Sequence, residues 1–175
     1  NHYHYRLVAC GFEDIQSNER FVLNINHLRS KRGTGKESNA KRMTNVDSLL
    51  VMLHNIQENQ IFHDTDILLV GDYNCYTQEQ PIQTLIQNGY EDLVMQYDST
   101  GYSYVYHSEA GYLDRVFASP TMAKQVKMVR PYHLNTDYFY SRGFKRGLDK
   151  TIFRYADHDP ILISIQLVPN HIHHD

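Results

Sequence analysis

The sequence has little cysteine. Cys10 and Cys75 are its two, too few and too far apart for a disulfide framework or a cysteine zinc site, so both read as free thiols. It also lacks a long hydrophobic run: no apolar stretch approaches the roughly 18 to 20 residues a membrane helix needs, and no signal-peptide pattern opens the sequence as it stands. The expectation is a soluble domain without membrane insertion. An excess of one charge is missing too, because 17 Lys and Arg against 20 Asp and Glu leave a net charge of -3. That balance excludes a protein that holds nucleic acid by bulk positive charge alone. There is no internal repeat, low-complexity tract or linker, so no domain boundary is placed inside residues 1–168. Residues 169–175, with His171, His173 and His174, read as a tail without function.

What is present suits one globular domain: 175 residues, 41% hydrophobic and 21% charged. Charge is uneven along the chain. Arg29, Lys31, Arg32, Lys36, Lys41 and Arg42 crowd one segment, and Arg142, Lys145, Arg146, Lys150 and Arg154 crowd another. Solvated loops rich in Lys and Arg give the same pattern.

Strand and helix signals alternate. Phe21, Leu23 and Ile25 alternate with Asn24 and Asn26, which predicts a half-buried strand over 21–26 with the apolar set on one face and His27 at its end. Met43, Val46, Leu50 and Leu53, joined by Leu49 and Ile56, predict a helix over 39–58 with Ser38 or Asn39 as N-cap. The run Asp66-Ile67-Leu68-Leu69-Val70 is continuously apolar from Ile67 up to Gly71, which fits a strand buried on both faces. A shorter helix should begin near Pro81 and stop at Asn88-Gly89. Further strands are expected over 102–107, 112–118, 125–132 and 161–168, with a long polar and aromatic loop over 135–153.

The chemistry gathers at strand ends. Asp157-His158-Asp159-Pro160 sets a carboxylate beside an imidazole where a strand begins, an arrangement suited to metal-assisted phosphodiester chemistry. Gly71-Asp72-Tyr73-Asn74 spaces a carboxylate and an amide by two, so extended alternation sends both to one side. A turn in which Asp and Asn bond their own backbone gives the same letters. Asp114 precedes the apolar run Val116-Phe117-Ala118, where a turn residue is the bland alternative. His27 has its own bland alternative as a satisfied half-buried histidine.

Taken in order, these segments resemble the C-terminal half of the endonuclease/exonuclease/phosphatase superfamily, the deoxyribonuclease-I-like fold. The marks are Asn26-His27-Leu28, the G-D-x-N of Gly71 to Asn74, Leu113-Asp114 running to Ser119, and Asp157-His158 before Pro160. His27-Leu28-Arg29-Ser30-Lys31, Pro81-Ile82 with Gly89-Tyr90-Glu91-Asp92-Leu93, and Tyr102-Ser103-Tyr104-Val105 before Gly111-Tyr112 look like the secreted bacterial nucleases. The likeness runs from about Arg6 to Leu167.

The resemblance implies an α/β sandwich of two packed mixed sheets flanked by helices, present here as its second half. It implies metal-dependent phosphodiester hydrolysis, with DNA or RNA as substrate, and a secreted or cell-envelope location whose signal would lie upstream of Asn1. Asp72 would orient or deprotonate the attacking water, and Asn74 would hold it or stabilise charge. Asp157 would bind the divalent cation, magnesium with manganese or calcium as alternatives. His158 would donate to the phosphate, Asp114 would orient that imidazole, and His27 would offer a second one. Arg29 and Lys31 are the tentative phosphate contacts. Relatives begin with a comparable half that supplies an asparagine and a metal-binding glutamate, so a missing N-terminal half is the expected partner. Ala156 stands where many relatives have serine, and neither Arg115 nor Cys75 is given a catalytic role. Phosphatases and lipid phosphodiesterases share the scaffold, so these activities remain as alternatives, as do a catalytically incomplete binding module and a structural or adhesive domain.

Overall fold

The computed structural model describes residues 7–32, 35–58, 66–138 and 153–167. In chain order these form β1 (Leu7–Glu13), β2 (Arg20–His27), α1 (Gly35–Glu58), β3 (Ile67–Asp72), α2 (Gln80–Gln87), β4 (Glu91–Asp92), α3 (Leu93–Tyr97), β5 (Tyr104–Tyr106), β6 (Glu109–Gly111), β7 (Asp114–Ala118), α4 (Pro120–Gln125), β8 (Val126–Pro131) and β9 (Ile161–Ile165). One five-stranded mixed sheet has the order β1-β2-β3-β7-β4; β5-β6 and β8-β9 each form a two-stranded antiparallel sheet. β2 and β3 are parallel and joined through α1, while β1 on β2, β7 on β3 and β4 on β7 are antiparallel.

Period-two alternation divides the large sheet into two apolar faces. Val22, Ile67, Leu69 and Phe117 pack with Val46, Leu49, Leu53 and Ile56 of α1 and with Ile82 and Leu85 of α2. Full burial of each such side chain contributes roughly 1.5 to 3 kcal/mol relative to exposure. The opposite face carries Phe21, Leu23, Leu68, Val70, Val116 and Ala118, and packs against Val126, Val129, Ile161, Ile163 and Ile165. A helical layer, the large sheet and the β8-β9 sheet are therefore stacked. Buried Arg115 of β7 donates to Asp92 at 3.0 Å and to Thr77 Oγ1 at 2.9 Å, and Asp92 also caps α3 by accepting from the Met95 N–H.

β2 reverses the amphipathic expectation. Asn24 and Asn26 lie on the helix-covered face and are 0% and 2% exposed, whereas Ile25, on the face that Phe21 and Leu23 share, is 48% exposed. Buried amides are tolerable only when bonded. Asn24 Nδ2 donates to the Val8 carbonyl at 3.0 Å, and Asn26 Nδ2 donates to Tyr73 Oη at 2.9 Å and to Asn24 Oδ1 at 2.5 Å. Val8 and Phe12 of β1 continue the open apolar strip beside Ile25, since Val8 pairs with Ile25 and Phe12 with Phe21.

Other bounds also shift. α1 begins at Gly35, about a turn before the predicted start; β3 runs on through Gly71 to Asp72; and the strand predicted over 112–118 starts at Asp114 as β7, preceded by β6, which was not predicted. The predicted 125–132 strand is preceded by α4, which the hydrophobic spacing did not signal and which Ser119 caps by accepting from the Met122 N–H. α2 forms as predicted, with Pro81 in its first turn and Asn88 at its end. The second sheet is antiparallel, not mixed, among the described residues. Most of the predicted loop over 135–153, most of the second basic segment and the 169–175 tail lie outside the described residues.

Gly71 is the tight point of the sheet. Its φ is +136°, and a Cβ there would sit 1.9 Å from the Asn26 carbonyl oxygen. Gly71→Ala is therefore expected to cost about 3 kcal/mol or more, read as a lowered urea midpoint, because a backbone clash adds to an unfavourable φ. An unchanged midpoint would contradict this packing.

Candidate active site

Three strands deliver polar residues to one edge of the same sheet face. His27 follows Phe21, Leu23 and Ile25 in alternation on β2, Asp72 follows Leu68 and Val70 on β3, and Asp114 precedes Val116 and Ala118 on β7. Register then sets them side by side, with His27 opposite Asp72 and Asp72 opposite Asp114. They stand at the rim of the apolar space between the large sheet and β8-β9.

The segment entering β9 contributes the fourth group. His158 forms an isolated bridge with Tyr104, and its Nδ1 lies 2.7 Å from Asp114 Oδ2. The same Asp114 oxygen accepts from Ser103 Oγ at 2.7 Å, so a buried serine and an imidazole hold one carboxylate. Asp72, Asp114 and His158 each offer a ligand atom within 4.8 Å of the others. His27 Nε2 is 3.6 Å from Asp72 Oδ2.

Asp72 and Asn74 come together by a route different from the one the spacing predicted. Asn74 has a φ of +50°, so the chain turns instead of running on extended. Its N–H donates to Asp72 Oδ1 at 2.8 Å, and its Nδ2 donates to Asp72 Oδ2 at 2.9 Å and to the Leu28 carbonyl at 3.1 Å. The turn reading of G-D-x-N is thus realised, and it fixes the Asp72 carboxylate next to Asp114. Asn74 is a positioning residue in this geometry.

Electrostatics follow from the crowding. Burial, and then the neighbouring Asp114 carboxylate, raise the Asp72 pKa against the Asn74 N–H and the His158 and His27 imidazoles. Burial alone pulls the His158 imidazole down, but the Asp114 hydrogen bond and the Asp114, Asp72 and Asp157 carboxylates outweigh it, and the net shift is upward. Burial pushes the Cys75 thiol up to about 12, which leaves it protonated and inert; Cys10 is exposed and also free.

The remaining predicted residues fall at different distances from this centre. Asp157 is exposed and acts electrostatically on His158 and Tyr104, outside the three-residue group. Arg29 is half-buried, and its carbonyl accepts from Arg42. Lys31 pairs with Glu79 and lies 4.8 Å over the Tyr76 ring, in a pocket shared with Arg42 and Gln80. Glu79 also pairs with Arg42.

Two supporting residues escaped the sequence reading. Ser103 is one, marked only by a small hydroxyl inside Tyr102 to Tyr106. Asp159 is the other: buried, it accepts from the N–H groups of Leu134, Asn135 and Thr136, from Thr136 Oγ1 and from His133 Nδ1. Its place before Pro160 was the available signal, since Asp-Pro favours a turn.

No family model matches the sequence, and no curated protein matches it. Solved structures do match the fold. An endonuclease/exonuclease/phosphatase family protein from Bacteroides thetaiotaomicron aligns at TM-score 0.61 and 18% identity, over 95% of this chain and 55% of that one. An AP endonuclease from Archaeoglobus fulgidus aligns at TM-score 0.61 and 10% identity, over 84% and 62%. A mannosyl-6-phosphatase from Bacteroides thetaiotaomicron aligns at 0.59 and 17%, over 91% and 57%. The chain has the endonuclease/exonuclease/phosphatase fold. It spans little more than half the length of these chains. Within that fold the strand-end cluster is the candidate active site, and its histidine carries a checkable consequence. A His whose folded pKa exceeds its unfolded value stabilises the fold fully below the unfolded value, and that stabilisation fades as pH rises through the folded one. In EDTA, the urea midpoint lost on His158→Ala is expected to be larger at about pH 6 than at about pH 9. An equal loss at both would remove the Asp114–His158 ion pair from the account.

Proposed function

We propose that this chain carries catalytic residues of a divalent-cation-dependent phosphodiester hydrolase, with a nucleic-acid strand as substrate. The observation that supports it most is the convergence of Asp114, His158 and Asp72 on one sheet edge, with one imidazole nitrogen fixed by a carboxylate. The named fold neighbours include an endonuclease and a phosphatase, so phosphoester hydrolysis is the common chemistry and the phosphodiester is the finer proposal.

Each residue has a task in this reading. With Nδ1–H given to Asp114, a protonated His158 presents Nε2–H to a phosphoryl oxygen. Asp72, with its raised pKa, orients the attacking water and takes its proton. Asn74 and Ser103 hold the two carboxylates in place, and His27 stands ready to donate beside Asp72. A divalent cation fits the donor set, because close carboxylates repel and hard oxygen ligands suit magnesium, manganese or calcium. Asp157 would help hold it, as the resemblance implies, and the cation's charge would polarise the phosphoryl oxygen.

The open apolar strip of Val8, Phe12 and Ile25 and the cleft of about 400 Å³ between the sheets, lined by Phe21, Leu23, Val70 and Ile163, call for more strands on that face. We take the rest of a longer domain as that cover. Secretion is carried forward as part of the proposal, on the sequence likeness alone.

Plasmid and bis(p-nitrophenyl) phosphate hydrolysis, with magnesium or with EDTA, tests the reading on this chain and on the full reading frame that encodes it. Activity is expected to need the cation and to fall by roughly 10² to 10⁴-fold in His158→Ala. Hydrolysis that persists in EDTA, or that is indifferent to His158→Ala, would overturn it.

A further inference from the structure

The strand that leads into the site carries a row of aromatic rings larger than the fold requires. Tyr104 and Tyr106 share one side of β5, their rings 6.3 Å apart and within 11° of parallel. Tyr104 lies 4.5 Å from the His158 ring, and its hydroxyl is within electrostatic reach of Asp157, Tyr76 and Asp72. Tyr106 meets the His107 ring edge-on at 4.2 Å. On the same face of the hairpin but over the neighbouring strand β6, Tyr76 lies against Gly111, the cross-strand partner of Tyr104; a Cβ at Gly111 would come within 2.9 Å of the Tyr76 ring. Tyr76 is thereby continuous with Tyr104, and the row ends next to the catalytic imidazole.

Packing accounts for part of this row. A two-stranded hairpin is marginal alone, and Tyr104 against His158 ties it to the site. Tyr106 is different. It is 57% exposed, and its ring neighbours among the described residues are Tyr104 and His107. The hairpin turn places His107 and Ser108 at φ of +49° and +67°, a conformation that two non-glycine residues adopt at a cost, and it is this turn that brings the His107 ring to Tyr106.

We infer that Tyr104 and Tyr106, extended by Tyr76 and His107, are a stacking platform for the bases of a single nucleic-acid strand whose phosphate lies at His158. The inference rests on the phosphodiesterase reading and adds the substrate's form to it. Exposed aromatic faces take unpaired bases of any identity, whereas a duplex keeps its base faces covered. The platform is uncharged, which suits a surface where Glu109, Glu79 and Asp157 offset the nearby Lys31.

The chain has no tryptophan, so Tyr106→Trp places one reporter on the platform at an exposed position. In EDTA, a short oligothymidine is expected to quench that indole and to bind roughly 5- to 150-fold more tightly than an abasic deoxyribose-phosphate oligomer of equal length and charge. Tyr106→Phe should keep the preference for bases, read by anisotropy of labelled oligomers, and Tyr106→Ala should lose most of it. Equal affinity for the abasic oligomer, tighter binding of a blunt duplex, or no binding of oligothymidine would overturn the platform. Wild-type hydrolysis of bis(p-nitrophenyl) phosphate separates the two readings. Hydrolysis without a base preference removes the platform and leaves the phosphodiesterase; a base preference without hydrolysis does the reverse.

Discussion

One buried carboxylate holds the site segment in place. Asp159 is 3% exposed, and a bare carboxylate there would cost several kcal/mol. Its two oxygens collect three backbone N–H groups from 134–136, the Thr136 hydroxyl and the His133 imidazole. Burial pushes its pKa up, yet those donors favour the ionised form enough to bring the net shift down. The Asp159 N–H meanwhile donates to the Ser103 carbonyl at 2.8 Å. A single residue therefore ties the turn after β8 to Ser103, the residue just before β5, and His158 is its immediate neighbour. The imidazole can meet Asp114 because its backbone is held from both sides.

That anchoring explains why a catalytic arrangement forms at the rim of an incompletely covered sandwich. The helix-covered side of the large sheet is closed and even accommodates amides, because Asn24 and Asn26 bond to one another, Val8 and Tyr73, with Asn26 Oδ1 left without a hydrogen-bond partner among the described residues. The other side is closed over β3 and β7 by β8-β9 and is open over β1 and β2, where Val8, Phe12 and Ile25 face outward. Asp72 and Asp114 lie on the closed part, where burial raises the Asp72 pKa; His27 lies toward the open part, beyond exposed Ile25, and its side chain is 71% exposed. The gradient from covered to open sheet thus becomes a gradient of solvation across the site.

Much of this was legible in the letters. Alternation located β2, a continuous apolar run located β3, and the termini of both gave His27 and Asp72; the two-residue step from Asp72 to Asn74 gave their proximity. The mechanism of that proximity was not legible, because nothing in Gly-Asp-Tyr-Asn distinguishes an extended pair from a turn until Asn74 is seen at positive φ. The face of β2 was misread for a related reason. Apolar residues mark a buried face only when polar ones have no buried partners, and the partners of Asn24 and Asn26 are a strand before and a strand after. Ser103 and Asp159 were illegible as site residues because their roles depend on neighbours 11 and 23 to 26 positions away.

Charge sets the remaining constraint on what the site can hold. Asp72, Asp114 and Asp157 bring three carboxylates against two imidazoles, and the chain as a whole carries -3. A phosphate approaching such a centre is repelled unless positive charge is supplied locally. His158 supplies part of it, since its carboxylate neighbours favour the protonated ring, and in the proposed reading a cation would supply the rest. Lys31 is paired with Glu79, which also faces Arg42. On the proposed reading, part of the binding energy for a chain of phosphates comes from uncharged contacts, and the surface continuous with His158 offers aromatic rings. On the proposed reading, a substrate with flat, exposed, apolar faces next to its phosphate is the one that this combination of a carboxylate-held imidazole and a tyrosine row would retain.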